Sequence, residues 1–74
     1  MERTAVDSSV LRSVGYDPVA RVLELEFTGG SVYRYAGVPA RVHRELLAAE
    51  SLGRYFLRRV RGRYDYARLD AGAR

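Results

Sequence analysis

Apolar and polar positions alternate along the first half of the chain, which is typical of half-buried β-strands. The clearest case is residues 21–28, where the run Leu-x-Leu-x-Phe that begins at Leu23 places its apolar side chains on one face. The same pattern predicts strands over residues 9–16 and 32–36, and an adjacent apolar pair in the first of these favours a β-bulge. Three antiparallel strands are therefore expected.

The length of the loop between the second and third strands decides which way Tyr33 and Tyr35 point. Two consecutive glycines at this place predict a tight hairpin. A two-residue turn would put Arg34 on the buried face, where an unpaired charge is costly. A three-residue loop over residues 29–31 instead sets Arg34 opposite Glu26 on the solvent side, where opposite charges favour pairing. We therefore predict the three-residue loop, with both tyrosines on the core side of the sheet.

Helical spacing replaces the alternation in the second half of the chain. A first helix is predicted over residues 38–50, because Pro39 suits the first position of a helix and Val42 and Leu46 recur at helical spacing. Ser51 can cap a second helix by accepting a hydrogen bond from an exposed amide. The apolar stripe of this second helix is expected to consist of Leu52, Phe56, Val60 and Tyr64.

The order of these elements predicts one α+β domain, in which a three-stranded antiparallel sheet is covered on one face by two helices. The domain is expected to span residues 6–66, with residues 1–7 forming a loose arm and residues 64–66 a short extended segment or strand. Residues 67–74 have little to bury and are predicted to be a mobile tail. A chain of 74 residues without cysteine has a small core and no disulfide to support it.

Positive charge is concentrated in the second half of the chain. Residues 1–36 carry four arginines against five acidic residues, a net charge of −1, whereas residues 37–74 carry nine against four, a net charge of +5, which together give +4. All 13 basic residues are arginine, and five of them lie between Arg54 and Arg63 with no acidic residue among them. Arginine is always charged and its planar fork fits phosphate oxygens, so this stretch favours an anionic partner.

Nine short motifs follow one another along the chain in a characteristic order. These are Ser8-Ser9, Gly15-Tyr16-Asp17, Leu23-x-Leu25-x-Phe27, Gly30, Tyr33-Arg34-Tyr35, Gly37-Val38-Pro39, Ala49-x-Ser51-x-Gly53, Tyr55-Phe56 and Val60-Arg61. Together they resemble the KTSC domain, which is named for the C-terminal extension of some lysyl-tRNA synthetases and also occurs as a small stand-alone protein. The resemblance implies an association with RNA through that fusion, and it carries over no catalytic or binding residue. Leu52 departs from the lysine that is frequent at this position.

The residues and the resemblance together favour a small non-catalytic nucleic-acid-binding module with a preference for RNA and weak sequence specificity. Unpaired bases are expected to stack on Tyr66, or alternatively on Tyr33 or Tyr35, because aromatic rings bind single strands in this way. The predicted partner is therefore RNA or another single-stranded nucleic acid. The phosphate contacts are predicted to come from a basic second helix, through Arg54, Arg58, Arg59, Arg61 and Arg63.

Three other interpretations of the same residues stay open. The arginines can be a solvated helix face in an arginine-rich protein. Tyrosine and arginine together also fit the composition of a protein interface, so the chain can be an interaction module with a protein partner or a homo-oligomer. A basic cleft could instead capture a small ligand that carries phosphate.

Several classes of function are not expected from this sequence. No nucleophile is placed near His43, the single histidine, so an enzyme is not predicted. One histidine and no cysteine provide too few ligands for a transition-metal site, and no cofactor is expected. No apolar run reaches the roughly 18 residues of a membrane span, so a cytoplasmic location without membrane attachment is the expectation.

Overall fold

The structure, a computed structural model, describes residues 1–69. Its elements in chain order are β1 (Thr4–Ala5), β2 (Leu11–Asp17), β3 (Val22–Phe27), β4 (Val32–Tyr35), α1 (Ala40–Ala48), α2 (Leu52–Arg59) and β5 (Tyr66–Arg68). The strands form one antiparallel sheet in the order β1-β2-β3-β4-β5. The predicted α+β class and the two helices are therefore confirmed.

The prediction of three strands is wrong, because the sheet has five strands within residues 1–69. β1 lies in the segment predicted to be a loose arm, and it pairs with Val14 and Ser13 of β2. β5 includes Ala67 and Arg68 of the predicted tail, and it pairs with β4. Both added strands are short and exposed, so they carry no apolar alternation that sequence could show. The rest of the predicted tail, residues 70–74, lies outside the described residues.

The β3–β4 hairpin has a three-residue loop, but it begins one residue earlier than predicted. The Phe27 amide donates to the Ser31 carbonyl at 2.8 Å, so the loop is residues 28–30. Its last residue is Gly30, with φ of 97°. Three-residue loops commonly end in a residue with positive φ, and glycine adopts this conformation more readily than the Ser31 of the predicted loop.

This shift moves the pairing by two residues and leaves the faces unchanged. Arg34 lies opposite Glu24, not opposite Glu26 as predicted. Its Nε donates to a Glu24 carboxylate oxygen at 2.7 Å, and Arg3 lies 3.4 Å from the other oxygen. The predicted orientation of Tyr33 is confirmed, since it lies opposite Leu25 on the core side.

The core lies between one face of the sheet and the two helices. The predicted bulge is present, since the β2–β3 register shifts between Leu11 and Ser13. The Ser51 hydroxyl caps α2 by accepting from the Arg54 amide at 3.2 Å. The buried hydrophobic residues are Leu11, Val14, Leu23, Leu25, Tyr35, Val38, Val42, Leu46, Leu52, Phe56 and Val60.

The second helix is shorter than predicted, because the predicted apolar stripe continues to Tyr64. It ends at Arg59, and Tyr64 packs against the core from the turns that follow. Arg61 and Arg63 consequently lie outside the helix, so a basic second helix carrying all five arginines is not what the chain forms. Gly62, with φ of 77°, lies between these two arginines and reverses the chain toward β5.

Candidate nucleic-acid interface

Four of the eight residues predicted to bind nucleic acid meet in one cleft, which we call the aromatic cleft. It has a volume of about 400 Å³ and lies where the turn after α2 faces strands β4 and β5. Its walls combine aromatic rings with an arginine and a glycine backbone, which suits a flat, anionic ligand. The lining residues are Phe27, Ser31, Tyr33, Tyr35, Phe56, Arg61, Gly62 and Tyr66.

Strand pairing brings the three tyrosines of the cleft together. Tyr35 lies opposite Tyr66 across the β4–β5 pair, and Tyr33 is two residues from Tyr35 on the same face. The ring centroids of Tyr33 and Tyr66 are 5.4 Å apart, and those of Tyr35 and Tyr66 are 5.7 Å apart. These distances are typical of interacting aromatic side chains, so the three rings form one connected surface.

Two phenylalanines hold this surface from the core side. Phe27 meets the ring of Tyr33 edge-on at 5.6 Å, and Phe56 meets Tyr35 edge-on at 5.9 Å. The two phenylalanines also contact each other at 5.2 Å. Because Phe56 is on α2 and the others are on the sheet, the cleft rests directly on the helix–sheet packing.

The three tyrosines differ in what they offer to a ligand. Tyr35 is only 5% exposed and forms part of the core, whereas Tyr66 is 64% exposed. Tyr33 is half-buried, and the Arg68 guanidinium lies 6.0 Å from its ring centroid. Arg68 also donates to the Ser31 hydroxyl at 3.2 Å, which places it at the rim of the cleft. Tyr66 therefore presents the most accessible ring.

Arg61 supplies positive charge to the cleft from the turn that follows α2. Its amide donates to the Phe56 carbonyl at 2.9 Å, which fixes the start of the turn. Burial raises the pKa of Tyr35 and the two neighbouring tyrosines raise it further, whereas the charge of Arg61 lowers it. Because Arg61 lines the cleft, its positive charge is available to a group inside it.

Three of the other predicted arginines lie in a different depression, which we call the helix groove. It has a volume of about 310 Å³ and is formed by α1, α2 and the segment between them. Its lining includes two acids that offset part of the charge of the three arginines, and its single aromatic residue is Tyr55. The lining residues are Glu45, Ala49, Glu50, Ser51, Arg54, Tyr55, Arg58 and Arg59.

Hydrogen bonds connect the residues of the helix groove to one another. The Tyr55 hydroxyl donates to a Glu45 carboxylate oxygen at 2.7 Å. Burial and this hydrogen bond raise the pKa of Tyr55 to about 12. Arg63 lies at the edge of the groove, since its Nε donates to the Arg58 carbonyl at 3.0 Å. Tyr55 therefore holds the two helices together rather than offering an open ring.

Sequence reasoning missed several residues that build the aromatic cleft. Arg68 is two residues after Tyr66, so the two side chains lie on the same face of β5. The predicted extended segment ends at residue 66, and a segment that continued to residue 68 would have placed Arg68 beside Tyr66. Arg68 falls in the predicted tail, because residues 67–74 have little to bury. Ser31 was assigned to the hairpin loop, and Phe56 only to the core.

Three features of residues 1–69 concern possible metal ligands, membrane spans and the single histidine. Among residues 1–69, no group of three or more histidines and acids could hold a metal ion. No helix within residues 1–69 is long and apolar enough to span a membrane. His43 stacks on Tyr16 with ring centroids 4.9 Å apart, as a packed surface residue would.

The fold and the cleft define a small α+β domain in which an aromatic cleft lies between strands β4 and β5 and the turn that follows α2. The chain belongs to the KTSC domain family, whose model matches residues 7–64. A crystal structure of a KTSC domain protein from Yersinia pestis is 39% identical, with a TM-score of 0.87 over 92% of this chain and 96% of that one.

Relatives occur both as small proteins and as a part of a larger enzyme. An uncharacterised protein from Stutzerimonas stutzeri is 49% identical over 71 residues, which is 95% of this chain and all of that protein. A lysine–tRNA ligase from Nostoc is 38% identical over 63 residues, which is 85% of this chain and 11% of the ligase. A ligase from Trichormus variabilis is 36% identical over the same shares of the two chains.

Proposed function

We propose that this chain is a small, non-catalytic module that binds RNA through the aromatic cleft. The observation that carries the proposal is that the exposed ring of Tyr66 and the charge of Arg61 line one cleft, most of whose other lining residues are aromatic. Base stacking on tyrosine and phosphate contact with arginine are the two interactions by which proteins bind single strands without reading sequence. Both groups stand on the same face of the molecule.

The relatives support RNA as the nucleic acid. The matched segment makes up 11% of enzymes whose name states that they join lysine to tRNA. A module attached to such an enzyme gains from affinity for RNA, because a second contact raises the effective concentration of the bound partner. The charge of +5 in residues 37–74 fits the same partner.

The aromatic cleft replaces the second helix as the centre of the proposed interface. The predicted helix arginines, Arg54, Arg58 and Arg59, share their groove with Glu45 and Glu50. We assign them a secondary role, in which they add long-range attraction for a polyanion. Few side chains in the cleft could read the edges of bases, so weak sequence specificity is proposed.

Affinity measurements on a matched set of variants test this function. Binding of a short single-stranded RNA at low salt, followed by fluorescence anisotropy, should be weakened by about 1–3 kcal/mol in Tyr66→Ala and little changed in Tyr66→Phe. Arg61→Glu should weaken binding and reduce the logarithmic salt slope by at least about 0.7, the value of one lost phosphate contact.

Arg41→Glu is the matched control for charge. Arg41 is exposed in the first turn of α1 and does not line the aromatic cleft, and a glutamate there is compatible with the helix dipole. It makes the same change in net charge as Arg61→Glu, so it should cost much less affinity. The absence of any RNA or DNA affinity at low salt would refute the proposed function.

A further inference from the structure

We infer that the aromatic cleft holds one unpaired base, stacked on the outer side of the Tyr66 ring, with an adjacent phosphate on Arg61. This inference rests on the proposed function and specifies the class of RNA that the cleft would take. The target would be a single bulged, looped or terminal nucleotide, and the rest of the RNA would be held by charge alone.

The spacing of the tyrosine rings excludes a base from the spaces between them. A base sandwiched between two rings needs them roughly 7 Å apart, because each stacking contact takes about 3.5 Å. The centroid distances from Tyr66 are 5.4 Å to Tyr33 and 5.7 Å to Tyr35, with the rings tilted by 50° and 38°. Tyr33 and Tyr35 are 6.4 Å apart. A base can therefore stack only on an outer ring surface.

The exposure of the rings then leaves one surface for stacking. Tyr35 is 5% exposed, and the ring of Tyr33 has the Arg68 guanidinium 6.0 Å from its centroid. Tyr66 is 64% exposed, and within residues 1–69 it is the one aromatic side chain in the exposed class. A domain with one open ring can stack one base, in contrast to proteins that line up several rings along a strand.

The position of Tyr66 determines which bases can reach it. It lies on β5, one of the two edge strands of the sheet, and within residues 1–69 no further strand pairs with the outer edge of β5. A base inside a duplex is already stacked on both sides and cannot offer a face to this ring. A bulged or terminal base has a free face, and its phosphate would lie near the turn that carries Arg61 and Gly62.

Tyr66 already contacts its neighbours in the absence of a ligand. The strand pair Tyr35–Tyr66 and the contacts with two neighbouring rings hold it in place. A ring that is already restricted by its neighbours loses less conformational freedom on binding than a free side chain would. This favours capture of one base without a long complementary strand.

A hairpin RNA with one bulged nucleotide tests the inference against two matched RNAs. One is the same hairpin fully paired, and the other carries an abasic site in place of the bulged base. The bulged hairpin should bind about fivefold or more tightly than either, since this is the lower limit of what stacking of one base contributes. Tyr66→Ala should bind all three RNAs alike, and Tyr66→Phe should behave as the natural chain.

A fluorescent base at the bulge gives a second readout. 2-Aminopurine at that position should change its emission on binding the natural chain and Tyr66→Phe, and should not change with Tyr66→Ala. Equal affinity for the bulged and abasic hairpins, or an emission change that Tyr66→Ala retains, would overturn the inference and leave RNA binding intact. Failure of all three RNAs to bind at low salt would overturn the proposed function as well.

Discussion

Phe56 is the residue that joins the stability of the fold to the shape of the candidate site. Its ring is 7% exposed, contacts Phe27 and Tyr35 edge-on, and lines the aromatic cleft. The four-residue spacing from Leu52 predicted its burial, because the two positions share a helix face. Its place under the tyrosines could not be predicted, since that depends on how α2 crosses the sheet.

Replacing Phe56 by alanine should strongly destabilise the domain. Loss of a buried phenylalanine costs about 3–5 kcal/mol, through lost burial and the cavity that remains. Chemical denaturation should show this loss, whereas Leu57→Ala, at an exposed neighbour, should change the free energy of unfolding by about 0.5 kcal/mol or less. Similar denaturation midpoints for the two variants would show that Phe56 does not support the core.

His43 should make the domain less stable in mild acid. Burial, and to a smaller extent the charge of Arg44, lower its pKa below the usual 6.5, and its ring stacks on Tyr16. The folded state therefore favours the neutral ring, and this stabilisation is present above pH 6.5 and is lost as the pH falls through the folded pKa.

An NMR titration of this single histidine measures the effect directly. The midpoint of the titration should lie below 6.5. Between neutral and acid pH, the free energy of unfolding should fall less in His43→Gln than in the natural chain. A midpoint at or above 6.5 would mean that the stack on Tyr16 does not exclude the charged ring.

At the scale of elements, the helices and strands that could be predicted are those whose own residues carry a clear pattern. β3 and the start of α2 were predicted because alternation and a serine cap leave clear signals. β1 and β5 were missed because two or three exposed residues become strands only through their neighbours. The end of α2 was placed too late, since the apolar spacing continues past Arg59 although the helix does not.

Gly62 should be required for the turn between α2 and β5. Its φ of 77° strains any residue with a side chain, although a Cβ would meet no atom within 4 Å. Gly62→Ala should therefore lower the free energy of unfolding by about 1 kcal/mol or more. Gly29→Ala is the control, because Gly29 has the same open space and no positive φ. Equal stability of both variants in urea would contradict this role.

At the scale of the whole molecule, the sequence shows that positive charge is concentrated in the second half of the chain. It does not show that these arginines are divided between two separate depressions of the surface. Composition alone places a net charge of +5 in residues 37–74. The fold then separates Arg61 in the aromatic cleft from the arginines of the helix groove. The cleft itself joins residues from β4, α2 and β5, which are far apart in the chain, so only the tertiary structure brings them together.

The most direct test of the central claim is a map of backbone amide shifts on addition of a short single-stranded RNA. The aromatic cleft as the binding site predicts the largest changes at Tyr33, Arg61, Gly62 and Tyr66, with smaller changes along the outer side of α2. The largest changes at Arg54 and Arg58 would instead locate binding in the helix groove. Spectra that do not change at low salt would contradict RNA binding altogether.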